Sequence, residues 1–183
     1  MLKAAGVDFV VQAADIDERT ISTDLLSEGK DAGAIALALA EQKALAISHQ
    51  NPGAMVLGGD SVLALEGELI SKSPDLASLR AQLRRLSGKT HFLISAAALA
   101  RDGQVIWRHV VSARMTMRTL SDAFLDDYLA REGEALLGSV GGYHFEGLGA
   151  QLFEAVEGDY FSVLGLPLLP VLAELRAQGL LET

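Results

Sequence analysis

An acidic residue inside an apolar run is the first feature of this sequence that could do chemistry. Asp60 directly follows two glycines in the stretch AMVLGGDSVLAL. A charge among buried strand residues is costly unless it is paired, hydrogen-bonded or bound to a metal, and glycines let other groups approach the backbone closely. Two interpretations are open: an aspartate that bonds its own backbone in a tight bend, or an acid presented to a ligand at the mouth of a cleft.

Two lysines are placed where they could bind an anion. Lys43 falls on the inward face of a helix predicted over residues 30–49, and Lys72 ends the strand that returns from the turn at residues 66–68. Either ammonium group could reach an anionic ligand. The alternative is that each side chain lays its stem on apolar surface and keeps its charge in water.

A glycine-rich segment (residues 138–149) is the third candidate. Its many glycines allow a ligand to approach the backbone, although the segment matches no phosphate-binding loop pattern. Glu146 within it could accept hydrogen bonds from a ligand or simply end a strand. Asp17 and Glu18 form a further acidic spot, which is most often a solvated turn.

Strands and helices alternate around these candidates, which predicts an α/β or α+β fold with part of the sheet antiparallel. The predicted strands cover residues 7–11, 54–65, 69–72, 90–100, 105–117, 151–156 and 159–165. The predicted helices cover residues 30–49, 74–86, 121–131 and 166–178, the second with Ser73 as its cap, whereas residues 13–20 are predicted to form a polar turn.

Composition excludes several classes of function. The chain has no cysteine, which excludes a disulfide framework and thiolate metal sites. A net charge of −9 argues against a nucleic acid polymer as the main partner. The histidines are scattered without zinc-type spacing, and no apolar span or secretory signal is recognised.

Several separated motifs together resemble one known family. The segments VDFVVQAADIDER, AEQKA, GGDSVLALEGELISKSP, LRRLSGKTH and GSVGGYHFEGLGAQLF occur in the order seen in the Maf family. The resemblance covers nearly the whole chain. It implies a single domain with a mixed, bent sheet flanked by helices and two lobes around a central cleft. It also implies a cytoplasmic nucleotide pyrophosphatase, historically linked to septum formation, and it is compatible with a homodimer.

The resemblance further implies hydrolysis of a nucleoside triphosphate to a monophosphate and pyrophosphate with Mg²⁺ or Mn²⁺. Asp60 in GGDS matches the catalytic acid that accepts a proton. Lys43 and Lys72 match lysines on the phosphate side. Glu18 in DIDER matches an active-site acid, so Asp60 and Glu18 are the expected metal ligands.

Ser61 and Glu146 match positions tied to the choice of base. Because an ionised carboxylate only accepts hydrogen bonds and guanine presents two adjacent donors, Glu146 favours a guanine base. The 7-methylated form is included, as in one Maf subgroup. UTP or dTTP is the alternative substrate.

Two departures from the family pattern concern the start of the chain and Ser73. The chain opens at MLKAAGVDF, which resembles the end of the helix after a loop that carries serines and an arginine pair. We therefore expect the first strand and this phosphate loop to be missing. Ser73 replaces a common proline. The rival hypothesis is a nucleotide-binding regulator of cell division without catalytic activity.

Overall fold

Helices and strands alternate in the computed structural model, which describes residues 1–182, and the predicted α/β class is confirmed. The helices are α1 Glu18–Ser27, α2 Ala32–Gln50, α3 Leu76–Leu86, α4 Asp122–Glu132, α5 Tyr160–Val163 and α6 Leu168–Ala177. The strands are β1 Val56–Leu65, β2 Glu68–Ile70, β3 Thr90–Arg101, β4 Gln104–Met117 and β5 Phe153–Glu157. Short 3-10 helices lie at Lys3–Ala5, Gly133–Gly138 and Leu148–Leu152.

The strands form a sheet in the order β2-β1-β3-β4-β5. Both edge pairs are antiparallel: Leu63 of β1 faces Ile70 of β2, and Met115 of β4 faces Val156 of β5. The turn between β3 and β4 has φ angles of 51° at Asp102 and 73° at Gly103. Positive φ at both central residues is the geometry that joins two antiparallel strands by a two-residue turn.

The first of two compact units comprises Met1–Ser61, Ser95–Val111 and the residues from Asp159 onward. Its apolar core is built where α6 packs against the middle of β3. The α6 side chains recur at the spacing of one helical face, and together with two β3 residues they form a buried cluster: Ala97, Leu99, Leu168, Val171, Leu172 and Leu175.

The second unit comprises Val62–Ile94 and Ser112–Gly158 and contains α3 and α4. The inward face of α3 carries Leu79, Leu83 and Leu86, all fully buried. The side chain of Asp75 accepts a hydrogen bond from the Ser78 backbone N–H (2.7 Å) and so caps the start of α3. The cap is thus Asp75, and the prediction of Ser73 as the cap is wrong, because the Ser73 hydroxyl donates to the Gln82 side chain instead.

The strand predicted at residues 7–11 is not formed. No residue from 7 to 17 is in a helix or strand, and Val10 and Val11 are 93% and 83% exposed. A β-branched run becomes a strand only when another strand pairs with its backbone groups. Local propensity therefore misled the prediction here.

Two other local predictions are wrong. Residues 13–20 do not form a turn throughout, because α1 begins at Glu18, where Asp17 accepts a hydrogen bond from the Thr20 N–H (3.0 Å). The strand predicted at 159–165 is replaced by the short helix α5, whose start is capped by Asp159. In both places an aspartate caps the start of a helix, at Asp17 where a polar turn was predicted and at Asp159 where a strand was predicted. Within residues 1–182, no helix has the length and apolar character needed to cross a membrane.

Candidate active site

Lys43 lies on α2, at the side of the helix that faces the core of the first unit. The helix is capped by Asp31, and Leu39, Ala40 and Ala44 on either side of the lysine are buried. The Lys43 side chain is 23% exposed. The sequence prediction that this lysine points inward is in agreement with its position.

A close backbone contact explains why the first of the two residues before Asp60 is a glycine, Gly58. A Cβ on Gly58 would lie 2.2 Å from the Ala40 carbonyl oxygen and 2.7 Å from the Ala44 nitrogen. Real side chains do not approach a backbone this closely, so glycine is required where β1 crosses α2. A Cβ on Gly59 would make ordinary contacts at 3.6 Å and beyond. The close crossing lets the short Asp60 side chain reach α2.

One ammonium group joins the two predicted acids. The Nζ atom of Lys43 lies 2.6 Å from Oδ1 of Asp60 and 2.7 Å from Oε1 of Glu18. The Asp60 side chain is 10% exposed, and that of Glu18 is 52% exposed. Asp60 lies within β1 and not in a tight bend, and it is the less exposed acid of a charge cluster that keeps an opening to solvent at Glu18.

The pKa of Lys43 follows from these contacts. Burial acts to lower its pKa, but the hydrogen bonds to Asp60 and Glu18 outweigh burial, so the pKa lies above its ordinary value. Lys43 is therefore charged throughout the physiological range. A charged lysine between two carboxylates can release either of them when a ligand brings competing negative charge.

The first turn of α1 positions Glu18. Asp17 accepts hydrogen bonds from both the N–H and the hydroxyl of Thr20, and the backbone bond is the main reason that the pKa of Asp17 is lowered. Asp17 is thus a helix cap, whereas the adjacent Glu18 reaches Lys43. The acidic spot that the sequence showed divides into one structural and one candidate functional residue.

A cavity of about 1050 Å³ opens beside these charges within the first unit. Lys43 and Glu18 are among its lining residues, together with the start of β1 and apolar residues of the segment before α1. Ligand pockets typically occupy some hundreds of Å³ and combine apolar walls with a few polar groups. The cavity is large enough for a ligand of nucleotide size to reach Lys43.

Ser61 is held by a chain of hydroxyl groups. Its Oγ lies 2.8 Å from Oγ of Ser95, which in turn donates to the carbonyl of Ser162 (2.8 Å). The Ser61 hydroxyl also lies 3.3 Å from the Gly165 carbonyl oxygen, to which it can donate, so its single proton has two acceptors within reach. The oxygen of Ser61 keeps a lone pair that can accept a hydrogen bond from a ligand. Its role in base choice stays a prediction.

Lys72 and Glu146 belong to the second unit and are both exposed. Lys72 follows the end of β2, and Glu146 lies in the glycine-rich segment between two 3-10 helices. The contacts that join Lys43, Asp60 and Glu18 lie in the first unit. The roles of Lys72 in binding phosphate and of Glu146 in selecting the base stay predictions.

The carboxylates of Asp60 and Glu18 fit a divalent cation in part. Mg²⁺ and Mn²⁺ take oxygen ligands, commonly one or two carboxylates with substrate phosphates completing the shell. Both carboxylates contact the same nitrogen atom, so they lie close to each other. Among residues 1–182, no group of three histidine or acidic residues could hold a metal by itself. Substrate oxygens would have to supply the remaining ligands.

Sequence reasoning missed two residues that shape this region, Ser95 and Ala40. Ser95 is fully buried in β3 and supports Ser61. A lone serine within the apolar run LISAAALA is the signal that could have indicated it, because a buried hydroxyl needs partners. The glycines before Asp60 indicate that some group approaches the backbone closely, but nothing in the sequence identifies Ala40 as that partner, since the contact depends on how two elements cross.

Comparison with known proteins places these observations in a family. The Maf-like protein model matches residues 1–178. The chain is 49% identical over 182 residues to the 7-methyl-GTP pyrophosphatase of Brucella abortus biovar 1. This alignment covers 100% of this chain and 92% of that relative. The identity to the 7-methyl-GTP pyrophosphatase of Mesorhizobium japonicum is 50%, with the same coverage.

A third relative bears a broader name. It is the nucleoside triphosphate pyrophosphatase of Rhodospirillum rubrum, 46% identical over 181 residues, with 99% of this chain and 90% of the relative covered. The match to the family model begins at residue 1 and gives no support to the expected loss of a first strand and arginine loop, which stays a prediction. The family model and the full-length identities agree, and the chain belongs to the Maf-like protein family.

Proposed function

We propose that this protein hydrolyses the bond between the α- and β-phosphates of a nucleoside triphosphate, releasing a nucleoside monophosphate and pyrophosphate. The observation that carries the proposal is the contact of one half-buried ammonium group, Lys43, with both Asp60 and Glu18 beside a large cavity. Relatives with up to 50% identity are named as pyrophosphatases of 7-methyl-GTP or of nucleoside triphosphates. Their names and this geometry support the same reaction.

Asp60 is the proposed proton acceptor. The attacking water must lose a proton as its oxygen bonds to phosphorus, and a positioned carboxylate can take it. A free aspartate has a pKa of about 3.9 and is a weak base. A bound divalent cation would supply the missing help by lowering the pKa of that water. Asp60 and Glu18 would hold the cation together with phosphate oxygens.

Lys43 and Lys72 are the proposed phosphate-binding residues. Each presents a compact positive charge that can compensate the negative charge of a polyphosphate. Lys43 exchanges its contact with an acid for one with a phosphate oxygen when the substrate binds. Its raised pKa keeps it charged during this exchange.

Glu146 and Ser61 are proposed to select the base, and 7-methyl-GTP is the proposed substrate. Glu146 is exposed, and as a carboxylate it accepts the adjacent N–H groups of guanine. Ser61 offers a hydroxyl oxygen that can accept a hydrogen bond while its proton goes to Ser95 or to the Gly165 carbonyl. An ionised carboxylate only accepts hydrogen bonds and therefore suits the two adjacent donors of guanine better than uracil, so UTP and dTTP are the less favoured substrates.

The cellular location, the kind of partner and the oligomeric state of the protein are also proposals. A net charge of −9 and the absence of cysteine suit a protein that acts on free nucleotides in the cytoplasm and not on a nucleic acid polymer. A homodimer is a further proposal. Size-exclusion chromatography with light scattering measures the oligomeric state directly.

The decisive experiment replaces the proposed proton acceptor. Asp60→Asn keeps the shape of the side chain and removes its charge, so we expect pyrophosphate release to fall by at least about 100-fold with the circular dichroism spectrum unchanged. The assay uses a panel of triphosphates that includes 7-methyl-GTP and UTP, with Mg²⁺ or Mn²⁺. Asp127→Asn, on the exposed side of α4, is the matched control and should keep full activity.

The result can also refute the proposal. Full hydrolysis by Asp60→Asn removes Asp60 from the mechanism. Nucleotide binding without hydrolysis by the unaltered chain supports a regulator without catalytic activity instead. A clear preference for UTP over 7-methyl-GTP overturns the choice of substrate.

A further inference from the structure

The side-chain amide of Gln82, on α3, bonds to two separate segments of the second unit. Its Oε1 accepts a hydrogen bond from the Ser73 hydroxyl at 2.9 Å, and its Nε2 donates to the Val140 carbonyl at 2.8 Å. Both bonds are partly buried, and Ser73 is 9% exposed. The amide thus connects the residues after β2 with the glycine-rich segment.

Each of the two residues that Gln82 contacts is near, in the sequence, to a residue with a role in the proposed function. Ser73 directly follows Lys72, the proposed phosphate-binding lysine, and Val140 lies in the same glycine-rich segment as Glu146, the proposed base-selecting residue. A nucleoside triphosphate holds its base and its phosphates a limited distance apart. Residues that bind the two ends must therefore keep a matching separation.

The glycine-rich segment is held firmly around Val140. The Ser139 hydroxyl donates to the Tyr143 carbonyl (2.9 Å), and the Tyr128 hydroxyl donates to the Gly142 carbonyl (3.1 Å). A Cβ on Gly142, which has φ of 70°, would lie 2.1 Å from a methyl carbon of Leu79. The segment packs tightly against α3, so a shift of Val140 would also shift the residues next to it in the segment.

We propose that Gln82 is a positioning residue that fixes the separation between Lys72 and Glu146 and thereby the preference for one base on a triphosphate. This inference rests on the proposed function of those two residues. Gln82 itself does not touch substrate. Glutamine is suited to the task because its amide both accepts and donates, which the hydroxyl of Ser73 and the carbonyl of Val140 require at the same time.

Two substitutions separate the two bonds. Gln82→Glu can still accept from Ser73 but cannot donate to Val140, and Gln82→Met makes neither bond while keeping a similar length. We expect the KM for 7-methyl-GTP to rise about tenfold in Gln82→Met and at least as much in Gln82→Glu, whose carboxylate oxygen faces the Val140 carbonyl oxygen, with kcat nearly unchanged. We also expect the preference for 7-methyl-GTP over UTP to fall several-fold. Ala81→Met, on the exposed face of the same helix, is the control and should change neither quantity.

A purely structural role for Gln82 gives a different result. In that case Gln82→Met lowers thermal stability and reduces kcat for all triphosphates alike, with the ratio between 7-methyl-GTP and UTP unchanged. That outcome overturns the proposal.

A binding measurement keeps this test separate from the proposed function. Isothermal titration of 7-methyl-GTP is done on Asp60→Asn and on the same variant with Gln82→Met added. An affinity about tenfold weaker in the double variant supports the positioning role, and equal affinity overturns it. If the unaltered chain binds 7-methyl-GTP without hydrolysing it, only the proposed reaction fails. If it does not bind 7-methyl-GTP at all, the proposed substrate and the positioning role both fail.

Discussion

Gly58 of β1 lies against the carbonyl of Ala40 in α2 with no space for a side chain between them, since a Cβ there would be 2.2 Å from the carbonyl oxygen. This contact sets how closely β1 approaches the helix that carries Lys43. Asp60, two positions further along β1, then meets the Lys43 ammonium at 2.6 Å. A glycine thus determines the geometry of a charged pair.

We expect Gly58→Ala to lower the free energy of unfolding by about 1–3 kcal/mol, because the backbone of β1 or α2 must move to admit a methyl group. Activity should fall as well, since the same movement separates Asp60 from Lys43. Gly59→Ala is the matched control, because its Cβ would lie 3.6 Å from the nearest atom, the Ala96 carbonyl oxygen. Its free energy of unfolding should change by no more than about 0.5 kcal/mol. Urea denaturation of both variants measures the difference. Equal stabilities would show that the crossing is not tight.

Replacing Lys43 with Met should destabilise the protein by about 1–3 kcal/mol at pH 7.5 and abolish activity, because the buried carboxylate of Asp60 loses this cation. The pKa of Lys43 is raised in the folded state. Its contribution to stability is therefore complete below its ordinary pKa of 10.5 and is lost as the pH rises through the higher folded value. The difference between the two proteins, measured by urea denaturation, should shrink above pH 10.5. A difference that persists unchanged at higher pH would contradict the charge pair as its cause.

Acid should destabilise the second unit through His91. This histidine is fully buried, its Nε2 lies 2.9 Å from the Tyr143 hydroxyl, and burial lowers its pKa to about 4. A histidine that is neutral in the folded state contributes full stability above its ordinary pKa of 6.5, and this stability is lost as the pH falls towards 4. The loss is about 3 kcal/mol.

Denaturation midpoints between pH 7 and pH 4 test the role of His91. His91→Phe removes the titrating group, so its stability should vary less steeply with pH than that of the unaltered chain. His49→Gln, at an exposed position, should retain the steep dependence. Parallel curves for all three proteins would assign the acid sensitivity to other groups.

Glu18→Gln should raise the concentration of Mg²⁺ or Mn²⁺ needed for half-maximal activity by about 10-fold or more, because one proposed ligand loses its charge. Glu28→Gln, an exposed acid at the end of the same helix, is the control. Titration of each metal against pyrophosphate release gives the value. An unchanged metal requirement in Glu18→Gln would limit the role of Glu18 to its contact with Lys43.

Glu146→Gln should reduce kcat/KM for 7-methyl-GTP by about 10- to 100-fold, since hydrogen bonds to a charged group contribute about 1.5–3 kcal/mol. A glutamine can both donate to and accept from uracil, so kcat/KM for UTP should change little or rise. Steady-state kinetics with both substrates measure the ratio. A uniform loss for the two triphosphates would mean that Glu146 does not select the base.

The sequence by itself determined the class of the fold and most of its elements. Helix α2, the turn at Asp102 and Gly103, and the cap of α4 at Ser121 follow from periodicity, turn chemistry and capping, which act over a few residues. The acid in the apolar run and the inward lysine were likewise recognisable, because an isolated charge among apolar residues needs a partner.

Only the tertiary structure decided which partner that is. No local pattern predicts that α2 packs against Gly58, or that Glu18 and Asp60 contact the same ammonium group. The hydrogen bonds of Gln82 to Ser73 and Val140 are equally unpredictable from local sequence. The apolar run at residues 7–11 failed as a strand for the same reason: backbone pairing requires a neighbour that is distant in sequence. Periodicity and caps are properties of a segment, whereas close crossings and charge contacts are properties of two segments brought together by folding.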